Sequence, residues 1–456
     1  MKVKEIFKTY LEEAIGQDNA AIAFSAFDKP SSVSLRKNPF KRPLYFPYQG
    51  KEVHWSENGL ILESRPQFTL DPLFHGGAYY VQDSSSMFVG HVFRKLLENF
   101  RSKLEQGRVL RVLDLCAAPG GKTTDLAASL RTFCSDSFLL VANEVMKQRA
   151  QVLADNVALW GDPNVIVTSE DPSSFARLGS FFDIIVADVP CSGEGMFRKD
   201  EQAVDQWSED NVALCQSRQR RIIADVWPSL SQGGYLVYST CTFNRMENDL
   251  NARWIEEELG AECISDTLAY PQDKGIIRTE LGFSLVPGLV PGEGQYCSVL
   301  CKTSQASELR WKKKNKKLPI YKSFTGLFKD KVDFSVKGDL LIALPSIISL
   351  DAEPVLDLMH TLLTGCAAGT LKGDILVPSS DLALSLLYDR KAYPEIEVSR
   401  EIALAYLHRD AIVLEGAPRG FVLIVYDGIP LGFVKNLGNR CNNLHPASRR
   451  IRMDIK

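Results

Sequence analysis

Between residues 109 and 259, short apolar runs alternate with amphipathic stretches. That rhythm limits what the chain can fold into more than any other feature. Val109 to Leu115, Phe138 to Asn143, Val165 to Thr168, Asp183 to Val189 and Gly234 to Thr240 read as five buried strands. Helical patterns fill the gaps, over Gly121 to Arg131 and at about Met146 to Trp160, Asn211 to Leu230 and Met246 to Leu259. This alternation predicts an α/β fold, a parallel sheet with helices on both faces. Such sheets bind ligands beyond the carboxyl ends of their strands. The residues at those ends therefore carry the functional reading.

At 456 residues the chain exceeds one ordinary domain. Three regions are expected: a leading segment over 1–85, the alternating core over 86–308, and a C-terminal region over 309–456. The last opens with the lysine-rich stretch Trp311 to Lys317, read as a solvated linker or, as the alternative, a phosphate-contacting arm. Hydrophobic residues make up 45% and charged residues 24%, the balance of a globular protein. A formal charge of −3 excludes a polyanion binder by bulk composition, so a nucleic-acid surface must be a local basic patch.

The ten cysteines lack small-domain disulfide spacing. The N-terminal MKVKEIFKTYLEEAIG has no signal-peptide apolar core, and no run of about 18 apolar residues marks a membrane span. A cytoplasmic protein with reduced thiols is expected, monomeric by default. No metal site is expected: Cys297 and Cys301 lack a partner pair, and the six histidines are scattered.

The first strand runs into Asp114-Leu115-Cys116-Ala117-Ala118-Pro119-Gly120-Gly121-Lys122. Small residues there let the backbone approach a ligand at a helix N-terminus. The spacing is neither the dinucleotide GxGxxG nor a Walker A loop. Glu144, ending the second strand, is placed to accept from ribose hydroxyls, or to cap the next helix. Asp171, past the third, could meet an adenine amino group or act as an N-cap before Pro172.

The fourth strand ends Asp188-Val189-Pro190-Cys191-Ser192, and the fifth ends Ser239-Thr240-Cys241-Thr242. A lone cysteine is usually a buried structural residue. Two thiols at two strand mouths suit a reaction that needs both, methylation of cytosine at C5. C5 is a poor nucleophile. A thiolate adding to C6 makes C5 an enamine carbon that can attack an electrophilic methyl group. The C5 proton must then leave and the thiol be eliminated. Cysteine suits the attack because, at a pKa of about 8.5, it is already partly ionised at neutral pH. Asp188 is placed to hydrogen-bond the N3 or N4 edge of the base. This chemistry alone does not say which cysteine attacks.

Several stretches resemble the Nol–Nop–Sun family of RNA cytosine-C5 methyltransferases, and within it the bacterial RsmF type that acts on 16S rRNA. They are VLDLCAAPGGKTT (112–124), ANE (142–144), DIIVADVPCSGEGMFRKD (183–200), GGYLVYSTCTFNRMEN (233–248), SLRKNPFK (34–41), HGGAYYVQDSSSM (75–87) and DGIPLGFVKNLGNRCNNLHP (427–446). The resemblance covers most of the chain. It implies a Rossmann-like class I methyltransferase core using S-adenosylmethionine, with an N-terminal RNA-binding extension and a C-terminal PUA-like module from about residue 390. It implies that Cys241 attacks C6 and that Cys191 assists release of the methylated base. It also implies that Cys116 to Lys122, Glu144, Asp171 and Asp188 line the cofactor site. The chain departs from the family pattern at Val189 in place of alanine, at Gln295 and Tyr296 in place of an aromatic pair, and at Arg449 in place of tryptophan.

The substrate expected is RNA, either 16S rRNA or the small ribosomal subunit, presenting an unstacked cytosine. Arg198, Lys199, Lys435, Arg440, Arg450 and Arg452 are the expected phosphate contacts. The QSRQRR run (216–221) reads instead as a partly solvated helix face. Competing readings are a transfer RNA methyltransferase and a ribosome-assembly factor that has lost catalysis. A DNA methyltransferase is disfavoured, because the chain lacks a Glu-Asn-Val motif and has the Thr-Cys cysteine.

Overall fold

The computed structural model describes residues 5–305, 307–309, 311–312 and 321–455. The expected linker is described only at Trp311 and Lys312; Lys313 to Lys317 lie outside the described residues.

The five expected strands all form: β1 (Leu110–Asp114), β2 (Phe138–Asn143), β3 (Val165–Thr168), β4 (Phe182–Asp188) and β5 (Leu230–Thr240). They are parallel and ordered β3-β2-β1-β4-β5. The order reverses between β1 and β4, the kind of crevice where α/β sheets bind ligands. Antiparallel strands extend the sheet on both sides. Gln295–Lys302 pairs with β5, and Thr361–Thr364 pairs with β3. The second of these comes from beyond residue 308, so the core sheet draws on the C-terminal region.

Side chains of the parallel strands alternate between two cores, as a two-residue period requires. Val112, Leu140, Ile184 and Val237 pack with the helix Met87–Leu97 on one face. Leu113, Val141, Ile185 and Leu236 pack with Ile222, Ile223 and Val355 on the other. Four helices matter for the site: α1 (Gly121–Cys134), α2 (Lys147–Trp160), α3 (Glu209–Val226) and α4 (Asp249–Leu259). Three differ from the sequence reading, α1 by running on to Cys134 rather than ending at Arg131. α3 stops at Val226 rather than Leu230 because Pro228 has no N–H to continue the helical ladder, and Trp227–Ser229 tightens into a single 3-10 turn. α4 starts at Asp249 rather than Met246 because Asn244 to Asn248 bond into the active-site loops.

An antiparallel four-stranded sheet lies before the core, ordered 51–53, 56–62, 33–37, 79–81. Two further four-stranded sheets follow it: an antiparallel one over 332–378, and a mixed one over 395–443, whose strand 395–397 runs parallel to its neighbour, beside the helix Arg400–His408. α2 ends on Gly161, in the left-handed region at φ 88°, where a Cβ would sit 2.1 Å from the Leu384 carbonyl oxygen. The C-terminal region is thus seated directly on the core. No described helix is long and apolar enough to cross a membrane.

Candidate active site

At the end of β1 the chain turns through Leu115 to Gly120 into α1. The turn is tied to its neighbours by Leu115 N–H to Val186 O (2.9 Å) and Ala117 N–H to Asn143 O (2.8 Å). Gly120 caps α1 at φ 113°, a left-handed geometry that glycine supplies without strain. Asp114 is fully buried beneath this turn. Thr123 Oγ1 donates to its Oδ2 at 2.6 Å, and its Oδ1 has no partner among the described residues. Burial pushes this carboxyl up to about 7. This unmatched acceptor has the chemistry to take a donor such as the ammonium end of S-adenosylmethionine.

Glu144 is buried at the end of β2, accepting from Met146 N–H at 2.9 Å with Arg149 3.3 Å away. Exposed Asp171 caps the short helix Pro172–Arg177 through Ser173 N–H (3.1 Å) and Ser173 Oγ (2.7 Å), which hold its carboxyl below the usual range. Asp171 takes the capping role, Glu144 holds the N–H of Met146 just before α2, and both remain at the carboxyl edge of the sheet.

β4 and β5 are neighbours, with Asp188 facing Ser239. That register brings Cys191 Sγ within 3.1 Å of Cys241 Sγ. Its hydrogen bond with Cys241, together with burial, raises Cys191 well above the ordinary thiol range. Beside them, Asp188 Oδ2 accepts from Lys122 Nζ at 2.8 Å. Its Oδ1 accepts from Ser239 Oγ (2.8 Å) and Gln295 Nε2 (3.0 Å). Burial works against the Lys122 ammonium, but Asp188 outweighs it and the net shift is upward. Gln295, one of the departures from the family pattern, therefore orients Asp188.

Beneath the thiols lies a buried network that sequence reasoning missed. Glu247 accepts from Ser192 N–H (3.0 Å), Gln219 Nε2 (2.6 Å) and Asn244 Nδ2 (2.8 Å). Glu194 accepts from Phe243 N–H (2.6 Å), Asn244 N–H (3.1 Å), Asn244 Nδ2 (2.8 Å) and Trp207 Nε1 (2.9 Å). Burial pushes Glu247 up to about 7. One asparagine thus joins two carboxylates and clamps the Pro-Cys loop to the Thr-Cys loop. Gln219 comes from the run read as a solvated face. It is buried, and only its tertiary partners show that.

The expected RNA contacts divide. Arg198 is a correction. Its side chain is only 7% exposed and forks onto Glu293 (2.7 and 2.8 Å), with Gly292 O at 2.9 Å, so it is an internal tie rather than a phosphate contact. Lys199 stays half-exposed, 3.2 Å from Asp83. Lys435, Arg440, Arg450 and Arg452 are exposed on or beside the C-terminal sheet, away from the strands that carry the cysteines. Arg449, another departure, joins Asp155 of α2 to Asp381.

This fold, with its glycine turn and paired thiols at one sheet edge, defines a class I methyltransferase. Residues 103–278 match the family described as 16S rRNA methyltransferase RsmB/F, residues 4–84 the N-terminal domain of 16S rRNA methyltransferase RsmF, and residues 393–451 the methyltransferase RsmF PUA domain. The ribosomal RNA small subunit methyltransferase F of Shewanella loihica is 30% identical over 418 residues, covering 88% of this chain and 83% of that one. That of Shewanella pealeana is 29% identical over 465 residues, covering 93% and 92%. The fold is also that of a methyltransferase homolog from Pyrococcus horikoshii (TM-score 0.54, 24% identity, 66% of this chain and 96% of that one). NSun6 from the same organism, solved with SFG, aligns at TM-score 0.50 and 18% identity over 66% of this chain and 99% of that one. The chain belongs to the RsmF family of S-adenosylmethionine-dependent rRNA methyltransferases. The resemblance drawn from its motifs holds, and so does the expected fold.

Proposed function

We propose that the chain methylates C5 of a cytosine in 16S rRNA through a transient bond between Cys241 Sγ and C6, with Cys191 assisting release. The observation that carries this reading is the 3.1 Å separation of the two sulfurs at the mouths of adjacent parallel strands. Either sulfur can donate in this contact, and the upward shift of the Cys191 thiol favours Cys191 as the donor and Cys241 as the acceptor. That is the polarity a nucleophile needs. Cys241 adds to C6, and the C5–C6 electrons become available at C5. S-adenosylmethionine, when bound, supplies the electrophilic methyl group.

Once C5 is methylated, its proton leaves, the C5–C6 double bond re-forms and the bond from C6 to Cys241 breaks. Cys191 assists that elimination. A carboxylate offers about four lone-pair directions, so Asp188 can accept from the cytosine N4 amino group while keeping Lys122, Ser239 and Gln295. Cys116 to Lys122, Glu144 and Asp171 line the cofactor site, with Asp114 Oδ1 receiving the ammonium group. Lys199, Lys435, Arg440 and Arg450 contact phosphates. The enzyme works in the cytoplasm as a monomer, without a metal.

Cys241→Ala abolishes methylation, and Cys191→Ala accumulates a covalent enzyme–RNA complex on denaturing gels. A complex formed by Cys241→Ala instead reverses the assignment. Bisulfite sequencing of ribosomal and transfer RNA, with and without the gene, tests the substrate. A lost site in transfer RNA, with the 16S map unchanged, favours the transfer RNA reading.

A further inference from the structure

Far from the cysteines along the chain, a cavity of about 590 Å³ opens between the N-terminal segment and the C-terminal sheet. It is a built site, stitched on two sides. Leu44 and Tyr45 backbone N–H groups donate to the Asp427 carbonyl (3.0 Å) and to Asp427 Oδ2 (2.9 Å). Arg400 Nη2 donates to Leu70 O at 2.9 Å. Tyr45, Tyr48 and Tyr426 line it with Pro47 and Pro66. Tyr45 is 68% exposed. Tyr48 is fixed by its hydroxyl on Asp71 (2.7 Å), so its ring is held in place. Glu397 and Gln67 supply polar groups at the same wall. A second groove of about 490 Å³ shares Pro47, Tyr48 and Pro66 and continues past Lys51.

We propose that this cavity receives an unpaired, extruded nucleobase of the RNA substrate, upstream or downstream of the cytosine being methylated. The proposal rests on the reading of the chain as an RNA methyltransferase. Aromatic rings and proline faces offer stacking surfaces, and stacking tolerates any base. The carboxylates of Glu397 and Asp427 repel phosphate and accept from exocyclic amino groups, so adenine, guanine and cytosine are favoured over uracil. The backbone stays outside, along Lys51 and Arg400, which are exposed and line the two cavities. The volume holds a base with its ribose, and the adjoining groove extends the path of the strand. The two modules then grip one strand together, and that fixes the register in which the target cytosine reaches Cys241.

The test uses the full-length protein with Tyr45→Ala and Tyr426→Ala, made singly and together. Steady-state methylation of a 16S rRNA transcript is read beside the binding of oligo(A) and oligo(U) dodecamers by tyrosine fluorescence. The expected result is a rise in KM of roughly five- to a hundredfold for each tyrosine lost, with kcat held. Oligo(A) should bind the wild type more tightly than oligo(U), with the difference lost in the double variant. An unchanged KM in both variants overturns the proposal while leaving the methyltransferase intact. Fluorescence quenching by an arginine-rich peptide but not by oligo(A) also overturns it, assigning the cavity to a basic protein segment. If the wild type methylates no RNA, the catalytic reading has failed; oligo(A) binding that depends on Tyr45 would still support the cavity.

Discussion

Gly195 offers the sharpest test of how the site is held. Its N–H donates to the Cys241 carbonyl at 2.7 Å, and it sits in the loop that follows Cys191. A Cβ at this position would lie 2.5 Å from the Cys241 oxygen and 3.0 Å from the Glu293 oxygen, both backbone atoms. An ordinary carbon–oxygen contact is about 3.3 Å. Gly195→Ala must therefore move the Cys241 backbone by roughly 0.8 Å. Glu293 cannot give way on the other side, because Arg198 is forked onto its side chain and bonded to Gly292 next to it. A displacement near 1 Å at a reacting group costs on the order of a hundredfold in rate. Single-turnover methyl transfer to an rRNA transcript should fall by about 10- to 100-fold, with the thermal midpoint shifted by only a few degrees. A variant that keeps its rate within about threefold, with the substitution verified, refutes the idea that this backbone contact sets the distance between the thiols.

Arg198→Ala should destabilise the fold by about 3–5 kcal/mol in urea denaturation, because it strands buried Glu293; the salt dependence of RNA binding should not change. Unchanged stability with a shallower salt slope would return Arg198 to the RNA surface. Lys435→Ala and Arg440→Ala should do the opposite, each lowering the salt slope of RNA binding by about one and leaving stability alone. Asp114, lifted by burial to about 7, must ionise to pair with an ammonium group. It is roughly one-tenth ionised at pH 6 and nine-tenths at pH 8. Binding of S-adenosylhomocysteine should therefore tighten about tenfold over that range by calorimetry, with Asp114→Asn showing a flat profile. A tightening that survives in Asp114→Asn assigns the titration elsewhere.

The sequence by itself determined the parallel α/β core. Strand and helix periods are local properties, and the runs at 138–143 and 165–168 form as read. It also placed Asp188, Cys191 and Cys241 at strand ends, because a strand's end can be read from where its apolar run stops. Tertiary structure alone decided the rest. Cys191 and Cys241 are 50 residues apart along the chain, and only the pairing of β4 with β5 sets their sulfurs 3.1 Å apart. Arg198 reads as a surface cation because arginine usually is one; it turns inward because Glu293, 95 residues on, is buried beside it. Gln219 sits in a charged run, yet it faces Pro190 and Glu247 across packed elements. The edge strand at 361–364 and the cavity between the terminal modules likewise depend on contacts between distant segments. A residue's partner is fixed by the packing of whole elements, and no short window of sequence contains that information.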